Sequence, residues 1–264
     1  MYHRFKWTKV SHRRNWISRE YEPLQPYYLL ELAKAVGARV FVDVGANVGV
    51  YSVFMGQAVD RVMAYEANAA LAGEIEGNFA LNGIEGAVRR VAVSDQAGTA
   101  QFGVVSRYAG NSAVVDAAAG GGAYRAVETV EAVRLSDELA AFEGPIVFKI
   151  DVEGHEVAVL EGAQAVLEGT RCVVQIENFE DAVDAMMAGL HYRKLTSIGP
   201  DAYFTNIEDV APLEIYERAA AALIAANHED KSMVLRLGGI GLVVSGRVYG
   251  IVRKVATRVL GGRI

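Results

Sequence analysis

A mostly parallel, twisted α/β sheet of the Rossmann-like kind, with helices on both faces and an antiparallel closing strand, is the fold class that this chain predicts. Three observations carry it. Strand-length apolar runs alternate with helix-length stretches along most of the 264 residues. The first run, Val40 to Val44, ends in Gly45-Ala46-Asn47-Val48-Gly49, and a helical pattern follows at once. The next, Val62 to Tyr65, ends in Glu66, 21 positions after Gly45. Uninterrupted apolar strands separated by helices belong to a parallel sheet covered on both faces, whose ligands sit at the carboxyl ends of the strands.

The elements follow in order. Pro26 to Ala35 reads as a leading helix stopped near Gly37, before the first strand. Gly49 to Ala58 is the first helix of the sheet domain, and Ala69 to Leu81 a second, stopped by Asn82-Gly83. Ala87 to Val93 is the third strand. Alternation then loosens: Thr99 to Val105 and Val127 to Val133 alternate as strands, and Asn111 to Val115 is a short one. The Ala/Gly run from Ala117 to Ala123 reads as a loop, and Leu135 to Phe142 as a helix. Ile146 to Ile150 is apolar apart from Lys149, His155 to Leu167 is helical, and Cys172 to Ile176 is a core strand. A helix from Glu180 to Ala188 precedes two closing strands, Tyr192 to Leu195 and Ala202 to Thr205.

Three segments result: a basic, aromatic head with the leading helix (1–37), a central domain (38–206), and a helical C-terminal extension with a basic amphipathic tail (207–264). In that tail Val248, Ile251, Val252, Val255 and Val259 share one helical side, and Arg247, Lys254 and Arg258 another. Charge is unevenly spread. Residues 1–19 hold six Lys/Arg and residues 231–264 seven, neither with an acid, whereas the middle holds 13 basic and 32 acidic residues. An acidic body argues against nucleic acid as partner. The single cysteine, Cys172, in a buried strand, reads as an inert core thiol of a reducing compartment. No apolar run is long enough to span a bilayer. A cytoplasmic protein is expected, with the basic ends and two tryptophans allowing peripheral contact with the inner membrane surface.

Two constellations carry chemistry. The glycine turn after the first strand lets a ligand approach backbone N–H groups closely, and Glu66 stands where ribose hydroxyls are held in nucleotide-binding sheets. The turn lacks a third glycine at the dinucleotide spacing, so an adenosine cofactor without pyrophosphate, S-adenosylmethionine, fits best. The second constellation is Lys149-Ile150-Asp151-Val152-Glu153-Gly154-His155-Glu156, at the carboxyl end of another core strand. Crowding three carboxylates with an imidazole is costly. A helix cap from Asp151 or Glu153 accounts for one side chain, not four.

Phe41 to Gly49, Tyr65-Glu66-Ala67-Asn68 and Phe148 to Glu156 together resemble the FkbM family of S-adenosylmethionine-dependent methyltransferases. The likeness continues through Leu160-Glu161-Gly162-Ala163 and Gln175-Ile176-Glu177-Asn178, and covers about residues 38 to 206. The resemblance implies a class I methyltransferase fold and methyl transfer, usually to oxygen, on polyketides, sugars or glycolipids. It implies that Asp43, Gly45, Asn47 and Gly49 line the methionine part of the cofactor and Glu66 with Ala67 the ribose. Ala92 and Ser94 would border the adenine, and Asp151 the transferring methyl. Asp151, Glu153, His155 and Glu177 are the candidate catalytic groups, His155 because histidine is the side chain that ordinarily titrates near neutral pH. Asp151, Glu153 and Glu177 are alternatively an oxygen set for Mg²⁺. Asn111, Ser112 and Asn178 are expected to border the acceptor.

The expected activity is O-methylation of a hydroxyl on a sugar, glycolipid or lipid-linked saccharide, with a soluble secondary metabolite as the nearest alternative. A nicotinamide oxidoreductase and a non-catalytic interaction module are the rival classes.

Overall fold

The computed structural model describes residues 7–8, 22–104, 113–115, 126–177, 181–228, 232–237 and 240–245. Its main sheet is built from β1 (Val40–Val44), β2 (Arg61–Tyr65), β3 (Gly86–Arg89), β8 (Ile146–Ile150), β9 (Cys172–Glu177), β10 (Arg193–Ile198) and β11 (Asp201–Thr205). The strands lie in the order β10-β11-β9-β8-β1-β2-β3. The five strands from β9 to β3 are parallel, while β11 runs antiparallel to both β9 and β10. This is a Rossmann-like frame, with its antiparallel closing strand.

Strand alternation divides the interior into two cores. Val40, Val42, Val44, Phe148, Ile150, Val174 and Ile176 point to the face covered by α5 (Glu156–Gly169) and α6 (Asp181–Gly189). Phe41, Val62, Val147, Val173 and Tyr203 point to the other, covered by α1 (Gln25–Val36), α2 (Val50–Met55), α3 (Ala69–Asn82) and α7 (Pro212–His228). At the carboxyl end of this second face the register aligns Asp43 with Lys149, Lys149 with Gln175, and Gln175 with Tyr203. A buried polar row therefore crosses an otherwise apolar layer.

Local signals set the helix ends. Proline opens α1, and Gly37 closes it in the left-handed region (φ 64°), its N–H donating to the Ala33 and Lys34 carbonyls. Asn68 caps α3, its side-chain oxygen accepting from the Ala70 and Leu71 N–H groups.

Several expected elements differ. The third strand divides: β3 stays in the main sheet, whereas β4 (Ala92–Val93) joins a second sheet of order β4-β7-β5-β6. That sheet contains β5 (Gly98–Val104), β6 (Ala113–Val114) and β7 (Ala126–Val133), and packs Phe102 and Val130 against Ala67 and Ala92. The break falls at two charged residues, Arg89 and Arg90, of which Arg89 pairs with Glu138 at 2.9 Å. The expected helix from Leu135 shortens to α4 (Leu135–Glu138), and the first helix of the sheet domain to Val50–Met55.

The C-terminal extension is not helical throughout. After α7, β12 (Ser232–Leu237) pairs antiparallel with β13 (Ile240–Ser245). Val234, Val243 and Val244 favour an extended backbone over a helix, and Gly238-Gly239 separates the two runs. The basic amphipathic tail beyond Ser245, most of the basic head, the 117–123 loop, Asn111, Ser112 and Asn178 lie outside the described residues. No helix among the described residues is long and apolar enough to cross a membrane.

Candidate functional site

A cavity of about 590 Å³ runs along the carboxyl edge of the main sheet. One end lies over β1, β2 and the second sheet, lined by Gly45, Ala46, Asn47, Glu66, Ala67, Leu71, Ala92, Val93 and Phe102. Asp43, Lys149, Asp151, Val152, Glu153 and His155 line its middle. Glu177, Tyr51, Glu22 to Gln25, Ile198 to Pro200 and Tyr216 line the far end, over β9 and the β10–β11 turn. The size is that of a cleft for a small organic ligand.

The glycine turn is held differently from the sequence expectation. Its N–H groups are mostly committed: Gly45 and Ala46 donate to the Tyr65 carbonyl at 3.0 and 3.1 Å, and Gly49 donates to the Ala46 carbonyl. The Asn47 N–H donates to Glu66 Oε2 at 2.8 Å. The turn is stitched to β2 rather than left open as a cradle for anions, which agrees with a cofactor lacking pyrophosphate. Gly45 (φ 76°) brings the loop so close to β8 that a Cβ there would stand 1.8 Å from the Asp151 carbonyl oxygen. Gly49 caps α2 from behind and does not line the cavity.

Glu66 is buried, and its carboxylate accepts from the Asn47 N–H and, at 2.7 Å, the Asn68 N–H. Burial pushes its carboxyl up to about 7, against the lowering effect of those two hydrogen bonds. Each carboxylate oxygen has a further lone pair available for a hydroxyl. Asp43 is buried too: its Oδ2 accepts from Ser52 Oγ at 2.6 Å. Burial raises its carboxyl, and Lys149 pulls it back. Among the described residues, its Oδ1 and the Asn47 Oδ1 are buried without a hydrogen-bond partner. These orphaned acceptors beside the cavity suit the ammonium and hydroxyl donors of S-adenosylmethionine, so the residues present fit that group.

At the centre, Lys149 Nζ lies 2.7 Å from Asp151 Oδ2 and 4.7 Å from the Tyr51 ring centroid. Burial alone would raise the Asp151 carboxyl; the Lys149 ammonium and hydrogen bonds from Lys149 and Glu177 carry it below the ordinary carboxylate range. Glu177 moves the other way, to about 8, through burial first and then the Asp151 charge and the hydrogen bond between the two carboxyls. The two carboxyls therefore titrate as a pair, Asp151 held down and Glu177 pushed up. Glu153 is raised by burial, then by Asp151 and Glu156.

Neither Asp151 nor Glu153 caps α5. The N-cap position falls to His155, without a side-chain cap; Glu156 instead folds back onto the preceding turn, its Oε1 accepting from the Val152 and Gly154 N–H groups at 3.2 Å each. His155 lines the cavity, but its Nε2 is 2.9 Å from Ser94 Oγ, which also donates to Asp95 Oδ1. Ser94 positions that ring and does not itself line the cavity. Among the described residues no three His, Cys, Asp or Glu side chains converge on a metal position. Lys149 already occupies the open side of Asp151. The donor set expected for Mg²⁺, Asp151 with Glu153 and Glu177, therefore does not fit the ion. Cys172 is buried, with its thiol pushed up to about 12, as an inert core group should be.

Sequence reasoning quoted Lys149 and Gln175 without giving them a role, and missed Tyr51, Asp201 and Glu22. Gln175 Nε2 donates to Tyr51 Oη at 3.1 Å and to Asp201 Oδ1 at 2.9 Å, and Tyr51 Oη donates to Glu22 Oε2 at 2.5 Å. One signal was present: Asp43, Lys149 and Gln175 are each the lone polar residue inside an apolar strand, at matching distances from its carboxyl end.

Residues 43–196 match the family model described as "Methyltransferase FkbM domain". Among solved structures, the chain is similar to "Methyltransferase FkbM" from Methylobacillus flagellatus KT (15% identity, TM-score 0.43). That match covers 68% of this chain and 48% of the other, so the chain spans about half of that relative's length. A ribosomal protein L11 methylase from Lactobacillus delbrueckii subsp. bulgaricus matches at 15% identity and TM-score 0.42, over 70% of this chain and 78% of that one. The O-methyltransferase TomG from Streptomyces achromogenes, involved in tomaymycin synthesis and solved with SAM, matches at 14% identity and TM-score 0.38, over 69% and 77%. No curated protein matches the chain.

Proposed function

This chain belongs to the FkbM family of S-adenosylmethionine-dependent methyltransferases, and from that membership we propose that it methylates a hydroxyl oxygen on a sugar, glycolipid or lipid-linked saccharide. The observation that carries the oxygen assignment is the Asp151–Glu177 carboxyl pair in the cavity, hydrogen-bonded beside Lys149. An alcohol must lose its proton as it is methylated, and the pair can receive it once Glu177 is ionised.

When bound, S-adenosylmethionine supplies a methyl group activated by a sulfonium centre. The chain's own part is binding, alignment and proton removal. Glu66 would accept hydrogen bonds from the ribose, with Ala67 and Ala92 bordering the nucleoside. Asp43 and Asn47 offer their orphaned oxygens to the amino-acid end. Asp151, held ionised by Lys149, would stand on the side of the transferring methyl, and Glu177, once ionised, would take the hydroxyl proton at Oε. His155, held by Ser94, borders the adenine side. Closure of the site around aligned reactants supplies much of the acceleration in such transfers.

Asp151→Asn should abolish transfer of labelled methyl from S-adenosylmethionine to a panel of sugars and glycolipids, with melting temperature within a few degrees of the parent. Near-normal transfer by this variant would remove the role assigned to the pair. For a lipid-linked acceptor, the basic ends would dock on an anionic leaflet. Sedimentation with anionic vesicles that is unchanged by deletion of residues 231–264 would count against that docking.

A further inference from the structure

The cavity is longer than its nucleoside end, and its two ends differ in charge. Over β9 and the β10–β11 turn, the ionisable groups lining it are Glu22 and Glu177, with Asp151 and Glu153 at the boundary. Among the described lining residues only Lys149 and His155 can carry positive charge. Lys149 is already paired with Asp151, and His155 stands with Ser94 on the opposite side. Among the described residues, an anion entering this end would therefore face the carboxyls of Glu22, Glu153 and Glu177 and no cation other than those two.

Glu22 is built into place rather than hanging in solvent. Its backbone lies in the left-handed region (φ 41°), which costs a non-glycine residue energy and persists only where contacts impose it. Tyr51 Oη donates to its Oε2 at 2.5 Å. Tyr51 is in turn gripped by Gln175, and its ring lies under Lys149. Among the described residues, Oε1 of Glu22 has no partner, although the residue lines the cavity. Gln25, Tyr216 and the Gly199-Pro200 turn complete a wall of mixed polarity around it. A fixed carboxylate with a spare oxygen, facing a cavity that repels anions, is a hydrogen-bond acceptor for O–H or N–H donors.

We propose that this end of the cavity is an acceptor subsite admitting a polyol that carries no phosphate, sulfate or carboxylate on the ring that enters. Glu22 receives a hydrogen bond from a hydroxyl or ammonium group remote from the methylated oxygen. The inference rests on the O-methyltransferase reading and narrows its substrate class. Glu22 selects the acceptor and takes no part in binding the cofactor.

The test uses the full chain saturated with S-adenosylhomocysteine and measures binding of four probes by saturation-transfer NMR and calorimetry. The probes are methyl glucoside, glucosamine, glucuronate and glucose 6-phosphate. Methyl glucoside and glucosamine should bind, with glucuronate and glucose 6-phosphate at least about tenfold weaker. Glu22→Gln should shrink that difference severalfold while leaving S-adenosylhomocysteine affinity unchanged, and Tyr51→Phe should shrink it in the same direction by releasing Glu22. Equal or tighter binding of the anionic probes overturns the proposal, as does an unaltered ranking in Glu22→Gln, or no probe binding at all to the loaded protein. A protein that binds S-adenosylhomocysteine yet fails these criteria keeps the methyltransferase reading and loses this one. A protein that does not bind S-adenosylhomocysteine loses both.

Discussion

The closest backbone approach in the cavity is between Gly45 and the end of β8, and a pair of alanine substitutions measures what it contributes. Gly37 and Gly45 both lie in the left-handed region, at φ 64° and 76°. A Cβ at Gly37 meets nothing within 4 Å, whereas one at Gly45 stands 1.8 Å from the Asp151 carbonyl oxygen and 2.9 Å from its carbon. Gly37→Ala therefore reports backbone strain alone, about 1–2 kcal/mol. Gly45→Ala carries the same strain plus a clash with backbone. Since ordinary contact begins at 3.4 Å, the Asp151 carbonyl must withdraw by about 1.6 Å. Overpacking of this kind adds about 1–3 kcal/mol, for a total of about 2–5 kcal/mol. The movement also breaks the Asp151 N–H bond to the Val44 carbonyl, now 3.0 Å, and displaces the carboxylate beside the reacting methyl. Displacements of this size cost about 100-fold in turnover. Urea unfolding midpoints of the two variants, with methyl-transfer rates of the folded proteins, make the comparison. Equal destabilisation by the two substitutions, or full activity in Gly45→Ala, would refute the close packing of the turn on β8.

Three further outcomes follow from the charges in the cavity. If Glu177 is the proposed base it must be ionised, and with its carboxyl at about 8, kcat/KM should rise as pH passes through about 8. Glu177→Gln should remove that limb together with most of the rate; a limb that persists would assign the base elsewhere. Glu66, raised to about 7, loses acceptor capacity when protonated, so affinity for S-adenosylhomocysteine should weaken as pH falls through about 7. Glu66→Ala should weaken it at every pH and flatten the profile, and calorimetry showing unchanged affinity would refute the ribose assignment. Lys149→Met leaves Asp43 and Asp151 without their ammonium, a loss of about 3–5 kcal/mol at pH 8. The penalty should shrink at pH 5 as those carboxyls, no longer held down by the cation, take up protons; chemical denaturation that shows no pH dependence would contradict this.

The frame was legible because its strands are written as uninterrupted apolar runs that only a sheet covered on both faces can hide. The FkbM resemblance added the positions of Glu66 and Asp151, both of which line the cavity. Less visible was what the polar groups do to one another. Glu156 ties down the turn that precedes α5, because Glu153 and Gly154, both at positive φ, bring two N–H groups within reach of its side chain. The division of the third strand depended on Arg89 finding Glu138 across 49 residues, a pairing that no local pattern announces. The Glu22–Tyr51–Gln175–Asp201 chain joins four separate segments, and only sheet register and the β10–β11 turn bring them together. The hairpin of β12 and β13 was hidden by the basic helical pattern that follows it in the sequence.

A crystal structure of the chain with S-adenosylhomocysteine tests the central claim most directly. The account predicts both ribose hydroxyls within hydrogen-bond distance of the Glu66 carboxylate and the sulfur facing Asp151, leaving the end of the cavity at Glu22 open. An adenosine bound at the Glu22 end, or a ribose turned away from Glu66, would contradict it.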